Sequence, residues 1–208
     1  MPIQVKKSFL KNISVSIWKI NESEDYLLSK VDLGENCKKR LNSIKSSQRR
    51  KEFLSVRNLI IKNDINLNDL YYDDNGAPFL KSKKNISISH TNNFSAIALC
   101  KNPVGIDIQD LRDKIILIKH KFLNDNEFKL IDDNSIKDLT LIWSIKESIY
   151  KIYKKQGLSF KKDIIVQNFS NDFKKSSVLV KDLDKKTFFS SENIIHSNYI
   201  CSIVKSDE

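Results

Sequence analysis

An α+β fold in two similar halves is the architecture that this sequence predicts. Three observations point to it. Short segments of alternating polar and apolar residues, such as ISVSIWKI (Ile13 to Ile20), recur along the chain. Each half offers a basic helical segment followed by strands, so that helices are segregated from antiparallel strands. The first half ends its core on FSAIALCK (94–101) and the second on YICSIVKS (199–206). That likeness is too slight to establish a duplication.

The elements follow in order. Ile13 to Ile20 alternates as a strand. Glu22 to Leu41 is polar with scattered leucines and reads as helical. SQRRKEFLSVRNLIIK (Ser47 to Lys62) is a stronger helix, with Phe53, Val56, Leu59 and Ile60 at helical spacing and arginines on the other side. Asp73-Asp74-Asn75-Gly76 is a turn signal, extended by Ala77-Pro78. Strands are predicted at Ile86 to Ser89 and Ser95 to Cys100, before Lys101-Asn102-Pro103 breaks the chain. Beyond the break come a strand GIDIQ (Gly105 to Gln109), an interrupted helical region over Lys114 to Ile131 and a long helix over Leu139 to Lys155. Four more strands are predicted at Ile164 to Phe169, Ser177 to Val180, Thr187 to Phe189 and Tyr199 to Val204.

A chain of 208 residues makes one large domain or two small ones, and 40% hydrophobic residues suffice for a core. Only 4 Gly and 3 Pro argue against long flexible linkers. No apolar run is long enough to span a bilayer. The first residues, MPIQVKKSFLKNISVSIW, lack the apolar core of a signal peptide. Cys37, Cys100 and Cys201 are odd in number and widely spaced, which suggests a reducing cytoplasm rather than a disulfide framework. The net charge of +10 favours an anionic partner: nucleic acid, an acidic protein or a polyphosphate cofactor. Nearly all of that charge is lysine, in a chain also rich in Asn and Ile. Genome base bias produces the same composition, so no lysine cluster is a site by charge alone.

Three stretches carry candidate chemistry. On a GIDIQ strand, Ile106 and Ile108 point one way, into a core. Asp107 and Gln109 point the other way, side by side, as a wet surface or as half of a metal site. In WSIKESIYK (Trp143 to Lys151), Leu141, Ile145, Ile149 and Ile152 line one side of the helix. Trp143, Glu147 and Lys151 form a stripe on the opposite side, each about 40° round from the last. Taken alone, Glu147 and Lys151 read as an exposed i, i+4 pair contributing about 0.3–0.5 kcal/mol. A tryptophan on the same stripe suggests a packed groove instead. Together, Asp107 and Glu147 supply two carboxylates to a hard cation such as Mg²⁺, which keeps waters and binds substrate phosphates. Gln109 adds an amide oxygen and Lys151 a cation for a phosphate, the set that phosphoryl-type transfer needs. In NISISHTNNFSAIAL (Asn85 to Leu99), the pair Ser89-His90 ends a strand before a polar loop. His90 is a surface histidine or an anion and acid–base group.

In order and spacing, GIDIQ, WSIKESIYK and the SISH segment resemble the 4'-phosphopantetheinyl transferases of the surfactin-synthetase-activating type. Trp143, Lys146, Glu147 and Lys151 fit the family's Trp-x-x-Lys-Glu-x-x-x-Lys helix in full, and Gly157-Leu158 resembles the Gly-Leu that follows it. RRKEFLSVR, NGAPFL and Lys121-Phe122-Leu123 with Glu127 resemble three further family segments. The likeness spans about residues 40 to 165. It implies a two-domain pseudo-twofold monomer, residues 1–102 and 103–208, each an α+β unit with an antiparallel sheet packed on helices and the active site between them. It implies transfer of the phosphopantetheine arm of coenzyme A to a serine of an acidic acyl or peptidyl carrier protein of fatty-acid, polyketide or nonribosomal peptide synthesis. The other product is 3',5'-ADP.

The resemblance further implies a site. Asp107, Glu147 and Gln109 hold Mg²⁺. Glu147 is the base for the serine proton, and Lys151 stabilises the transferring phosphate. His90, with Ser89, contacts a coenzyme A phosphate. Arg50 and Arg57 hold the nucleotide end, with Arg49 able to take the place of Arg50. Two positions depart from the pattern. Gln109 stands where many relatives have glutamate, so the metal site is expected to have two carboxylates and a weaker contact from Gln109. Ala77 stands where the turn often has lysine, so one phosphate contact is lost or comes from Lys81, Lys83 or Lys84. The main alternative is a basic, Mg²⁺-dependent nucleic-acid enzyme or binder using the same Asp107, Glu147 and Lys151. No helix-turn-helix, zinc or RNP-like signature supports it. A non-catalytic carrier-protein binder is the second alternative, and it would have no need of those three residues.

Overall fold

The computed structural model describes residues 3–9, 12–82, 84–154 and 157–206. Its architecture is α+β, with antiparallel sheets packed on helices, as the sequence predicts. The chain opens with strands β1 (Ile3–Phe9) and β2 (Ile13–Lys19), then helices α1 (Glu24–Ser29), α2 (Glu35–Ser43) and α3 (Ser47–Ile61). A small hairpin, β3 (Leu70–Tyr72) and β4 (Pro78–Leu80), precedes β5 (Asn85–His90) and β6 (Phe94–Cys100). After Lys101-Asn102-Pro103 come β7 (Val104–Asp110), α4 (Lys114–Phe122) and α5 (Ile136–Tyr153). The last strands are β8 (Ile164–Phe169), β9 (Lys175–Asp182), β10 (Lys185–Ile195) and β11 (Tyr199–Ser206). One sheet runs β1-β2-β6-β5 and the other β7-β11-β10-β9-β8.

The period-2 alternation of the central strands serves two apolar layers at once. Between the sheets, Ile13, Val15 and Ile17 of β2 and Ala96 and Ala98 of β6 meet Ile106 and Ile108 of β7 and Cys201 and Ile203 of β11. On the outer face of the first sheet, Trp18, Ile97 and Leu99 pack on Leu54, Leu59 and Ile60 of α3. On the outer face of the second, Ile200, Val204 and Val178 pack on Ile142, Ile145 and Ile149 of α5. Strands buried on both faces are nearly continuous in apolar or small residues, as FSAIALC is.

Gly105 decides how close α5 lies to β7. A Cβ there would stand 2.0 Å from the backbone oxygen of Ser148. Small polar residues on the facing side of α5 allow the approach. Ser144 Oγ donates to Asp107 O at 3.1 Å, and Ser148 Oγ donates to Ser202 O at 2.9 Å. The glycine that opens GIDIQ therefore lets the helix sit directly over the strand that carries Asp107.

Several boundaries differ from expectation. The helix expected over Glu22 to Leu41 is two helices. Ser23 caps α1, and Gly34 begins α2 after an extended link. The region Lys114 to Ile131 is α4 followed by a single 3-10 turn at Glu127–Lys129. Helix α5 begins earlier than expected because Ser135 caps it, accepting from Asp138 N. It ends at Tyr153, where Lys154 adopts the left-handed conformation (φ 54°). The predicted helix end Lys155, and Lys83, lie outside the described residues. Strands β9 and β10 run past their predicted limits, and β1 and the β3–β4 hairpin were not expected at all. Among the described residues, no helix is long and apolar enough to cross a membrane.

Candidate active site

A cleft of about 1300 Å³ opens along α3, the end of β5, the end of β7 and α5. Its walls carry Arg40, Lys45, Arg49, Arg57, Arg112 and Lys114 against Glu52, Asp110 and Glu147. The imbalance favours an anion, whose field is focused in such a cleft. Trp143 is wedged between Phe122 and Phe160, with ring centroids 5.2 and 5.3 Å away, and it lines the cleft beside Glu147. The expected groove is present, and the tryptophan is a packed wall of it.

The two faces of GIDIQ are as its alternation requires. Ile106 and Ile108 are fully buried between the sheets, and Asp107 and Gln109 share the opposite face. Asp107 is only 2% exposed. Its Oδ1 accepts from Lys151 Nζ at 2.7 Å and from Ser89 Oγ at 2.9 Å. Its Oδ2 accepts from Gln109 Nε2 at 2.8 Å. Lys151 Nζ also donates to Ile106 O at 2.9 Å, so α5 and β7 are tied at the site by one ammonium group.

Glu147 has a different environment. Among the described residues it has no hydrogen-bond or ion-pair partner. Burial pushes its carboxyl up to about 7, and the negative charge of Asp107 adds to that, while Lys151 pulls the other way. The two carboxylates are thus near enough to repel, and the ammonium of Lys151 offsets only part of that repulsion. Mg²⁺ is a hard cation that accepts one or two protein carboxylates and fills its shell with water and substrate oxygens. The donor set fits it on that chemistry. Asp107 and Glu147 would hold the ion, and Gln109 would have to turn its amide to offer oxygen. Among the described residues there is no cluster of three or more His, Cys, Asp or Glu side chains that would make a closed protein cage for a metal.

The remaining candidates are distributed unevenly. His90 lines the cleft, with Nδ1 3.0 Å from Glu52 Oε2. Burial lowers its pKa, against the opposing pull of Glu52. Arg57 is buried beneath the cleft wall, stacked on Phe53 at 3.4 Å, and Nη2 donates to Tyr72 Oη at 3.2 Å. Among the described residues its Nε has no partner, leaving a buried donor to be satisfied. Arg50 does not reach the cleft. Its Nε donates to Glu24 Oε1 at 2.6 Å and its Nη1 to Leu41 O at 2.7 Å, which locks α1 and α2 onto α3. Arg49 is the cleft residue in its place. Ser89 does not line the cleft either, since its hydroxyl is turned to Asp107. Near the position of Ala77, Gly76 (φ +80°) and Pro78 form the cleft edge, and neither Lys81 nor Lys84 lines it.

One important pair escaped the sequence analysis. Lys146 and Glu127 are both fully buried and 2.7 Å apart. Lys146 Nζ also donates to Phe122 O and Phe160 O, both at 2.7 Å. Glu127 accepts from Asn124 N through Oε2 and from Val166 N through Oε1. All three ammonium protons are therefore used. The knot fixes α4, α5 and the chain around Phe160 to one another, and with them the wall formed by Trp143.

Residues 103–204 match the model of the 4'-phosphopantetheinyl transferase superfamily. The chain is also similar to the 4'-phosphopantetheinyl transferase gsp of Aneurinibacillus migulanus, at 30% identity over 80 residues. That alignment covers 36% of this chain and 34% of the relative, about a third of its length.

Proposed function

We propose that the protein, whose residues 103–204 match the model of the 4'-phosphopantetheinyl transferase superfamily, transfers the 4'-phosphopantetheine group of coenzyme A to a serine of an acyl or peptidyl carrier protein, releasing 3',5'-ADP. The observation that carries the proposal is Glu147, half-buried on the wall of a cationic cleft and, among the described residues, without a hydrogen-bond partner, next to the buried carboxylate of Asp107.

The carrier serine oxygen attacks the phosphorus on the pantetheine side of the pyrophosphate, and the bond from that phosphorus to the bridging oxygen breaks. Glu147 takes the serine proton, directly or through a water. Lys151 has one ammonium proton left after Asp107 and Ile106 and directs it at the transferring phosphate. Arg57, Arg49 and His90 hold the nucleotide end, where guanidinium forks suit phosphate oxygens. Mg²⁺, held by Asp107 and Glu147 with Gln109 as a weaker neighbour, supplies neutralisation of the pyrophosphate charge when bound. The chain acts as a cytoplasmic monomer of two units, 1–102 and 103–208, joined at Lys101-Asn102-Pro103. The net charge of +10 suits an acidic carrier.

Nucleotide release tests this directly. Chromatography of a mixture of protein, coenzyme A, Mg²⁺ and apo carrier should show 3',5'-ADP. It should be absent with a carrier whose acceptor serine is alanine, and absent with EDTA. Failure to release nucleotide with carriers of fatty-acid and peptide pathways alike would overturn the proposal.

A further inference from the structure

The edges of the two sheets meet along β5 and β7 without a backbone ladder. Side-chain hydroxyls bridge them instead. Ser87 Oγ accepts from Ile106 N at 3.0 Å, and Ser89 Oγ accepts from Ile108 N at 3.1 Å. Both serines are buried, and both satisfy an edge N–H of β7 that would otherwise be an orphan. Only one of them does more. Ser89 also donates its single proton to Asp107 Oδ1 at 2.9 Å.

A serine hydroxyl has one proton to give. A phosphate dianion offers acceptors and no donors. Ser89 therefore cannot donate to a substrate phosphate without releasing Asp107, and a released Asp107 would be a buried carboxylate one bond short. The adjacent His90 points to the other face of β5, onto the cleft. The two members of the Ser89-His90 pair thus have separate tasks.

We infer that Ser89 is a positioning residue, which ties Asp107 Oδ1 across the seam and so leaves Oδ2, where Gln109 Nε2 now donates at 2.8 Å, as the oxygen that a divalent cation would take once the Gln109 amide turns. The inference rests on the transferase proposal for its kinetic consequences, but not for its binding consequences. With Lys151 on the same Oδ1, the carboxylate is fixed from two sides, one on each sheet's half of the seam. Ser87 repeats the seam bond two residues earlier and touches neither Asp107 nor the cleft, which makes it the internal control.

The test compares the wild type with Ser89→Ala, Ser89→Thr and Ser87→Ala. Three quantities are measured: Mn²⁺ binding by electron paramagnetic resonance in the absence of coenzyme A, urea unfolding, and kcat and KM for coenzyme A in carrier loading. Loss of a hydrogen bond to a charged group predicts that Ser89→Ala lowers kcat by about tenfold or more and weakens Mn²⁺ binding about fivefold. Its KM for coenzyme A should move by less than about twofold. Ser89→Thr keeps the hydroxyl and should restore both quantities. Ser87→Ala should lose stability like Ser89→Ala, yet bind Mn²⁺ and turn over like the wild type. A raised KM at unchanged kcat in Ser89→Ala would make Ser89 a phosphate ligand and overturn the inference. So would equal losses in Ser87→Ala, or wild-type Mn²⁺ affinity in Ser89→Ala. If the wild type loads no carrier, the transferase proposal fails, and the Mn²⁺ comparison still decides the role of Ser89.

Discussion

Replacing Glu147 with glutamine should make the metal-free protein more stable while abolishing its chemistry. In the fold, burial and the charge of Asp107 hold the Glu147 carboxyl at about 7, against an ordinary 4.5. Because the folded value is raised, the contribution of this group is most favourable below about pH 4.5 and is lost as pH rises through about 7. The shift corresponds to about 3 kcal/mol of lost stability once Glu147 is fully ionised. Glutamine has nearly the same shape and never ionises, so Glu147→Gln escapes the loss. In urea unfolding without divalent ions, the variant should match the wild type near pH 4.5 and exceed it by about 2–3 kcal/mol near pH 8. A Tm gain of roughly 4–10 °C would accompany that difference. Mg²⁺ should stabilise the wild type at the higher pH and leave the variant unmoved. Equal stability of the two proteins at both pH values would refute the reasoning, because Asp107 and Glu147 would then not be a repelling buried pair.

Other expectations follow from the geometry. Gly105→Ala drives a Cβ to within 2.0 Å of Ser148 O and should cost about 3 kcal/mol or more in urea unfolding, with transfer lost as α5 is pushed off β7. Lys146→Met leaves Glu127 as an uncompensated buried charge and should cost about 3–5 kcal/mol, and adding Glu127→Leu should recover part of it. Arg49→Ala should raise KM for coenzyme A several-fold, whereas Arg50→Ala should lower Tm and leave KM unchanged.

Much of the site was legible because strand alternation is strict. GIDIQ had to bury Ile106 and Ile108 and present Asp107 beside Gln109, whatever else the chain did. Helical spacing likewise put Glu147 and Lys151 on one stripe, while Leu141, Ile145 and Ile149 faced the core. Register within a helix is less forgiving. Arg49 and Arg50 differ by about 100° around α3, and only the position of the cleft decides between them. Arg49 stands four residues before Phe53 and so shares its cleft-facing arc. The break before Gly34 carried no signal of its own among the scattered leucines of Glu22 to Leu41. In β1, Lys6-Lys7 interrupts the apolar alternation, and the strand forms through its backbone pairing with β2.

Contacts between segments distant in sequence were the least legible. Lys146 lies in the same motif as Glu147, but nothing local distinguishes a buried lysine from an exposed one. Its partner Glu127 lies 19 residues earlier. The hydroxyl of Ser89 finds Asp107 across 18 residues, and its task depends on two sheet edges meeting. The glycine of GIDIQ looked like part of a motif, and its reason is the backbone of a helix more than forty residues on. Even the tryptophan on the polar stripe needed Phe122 and Phe160 to become a wall.

The most direct measurement is the intact mass of an apo acyl carrier protein after incubation with this protein, coenzyme A and Mg²⁺, beside an EDTA control and the Glu147→Gln variant. A metal-dependent gain of one phosphopantetheine arm with the wild type, and none with the variant, is the predicted result. Unchanged carrier mass with the wild type across carriers of fatty-acid and peptide pathways, or full conversion by Glu147→Gln, would contradict the account.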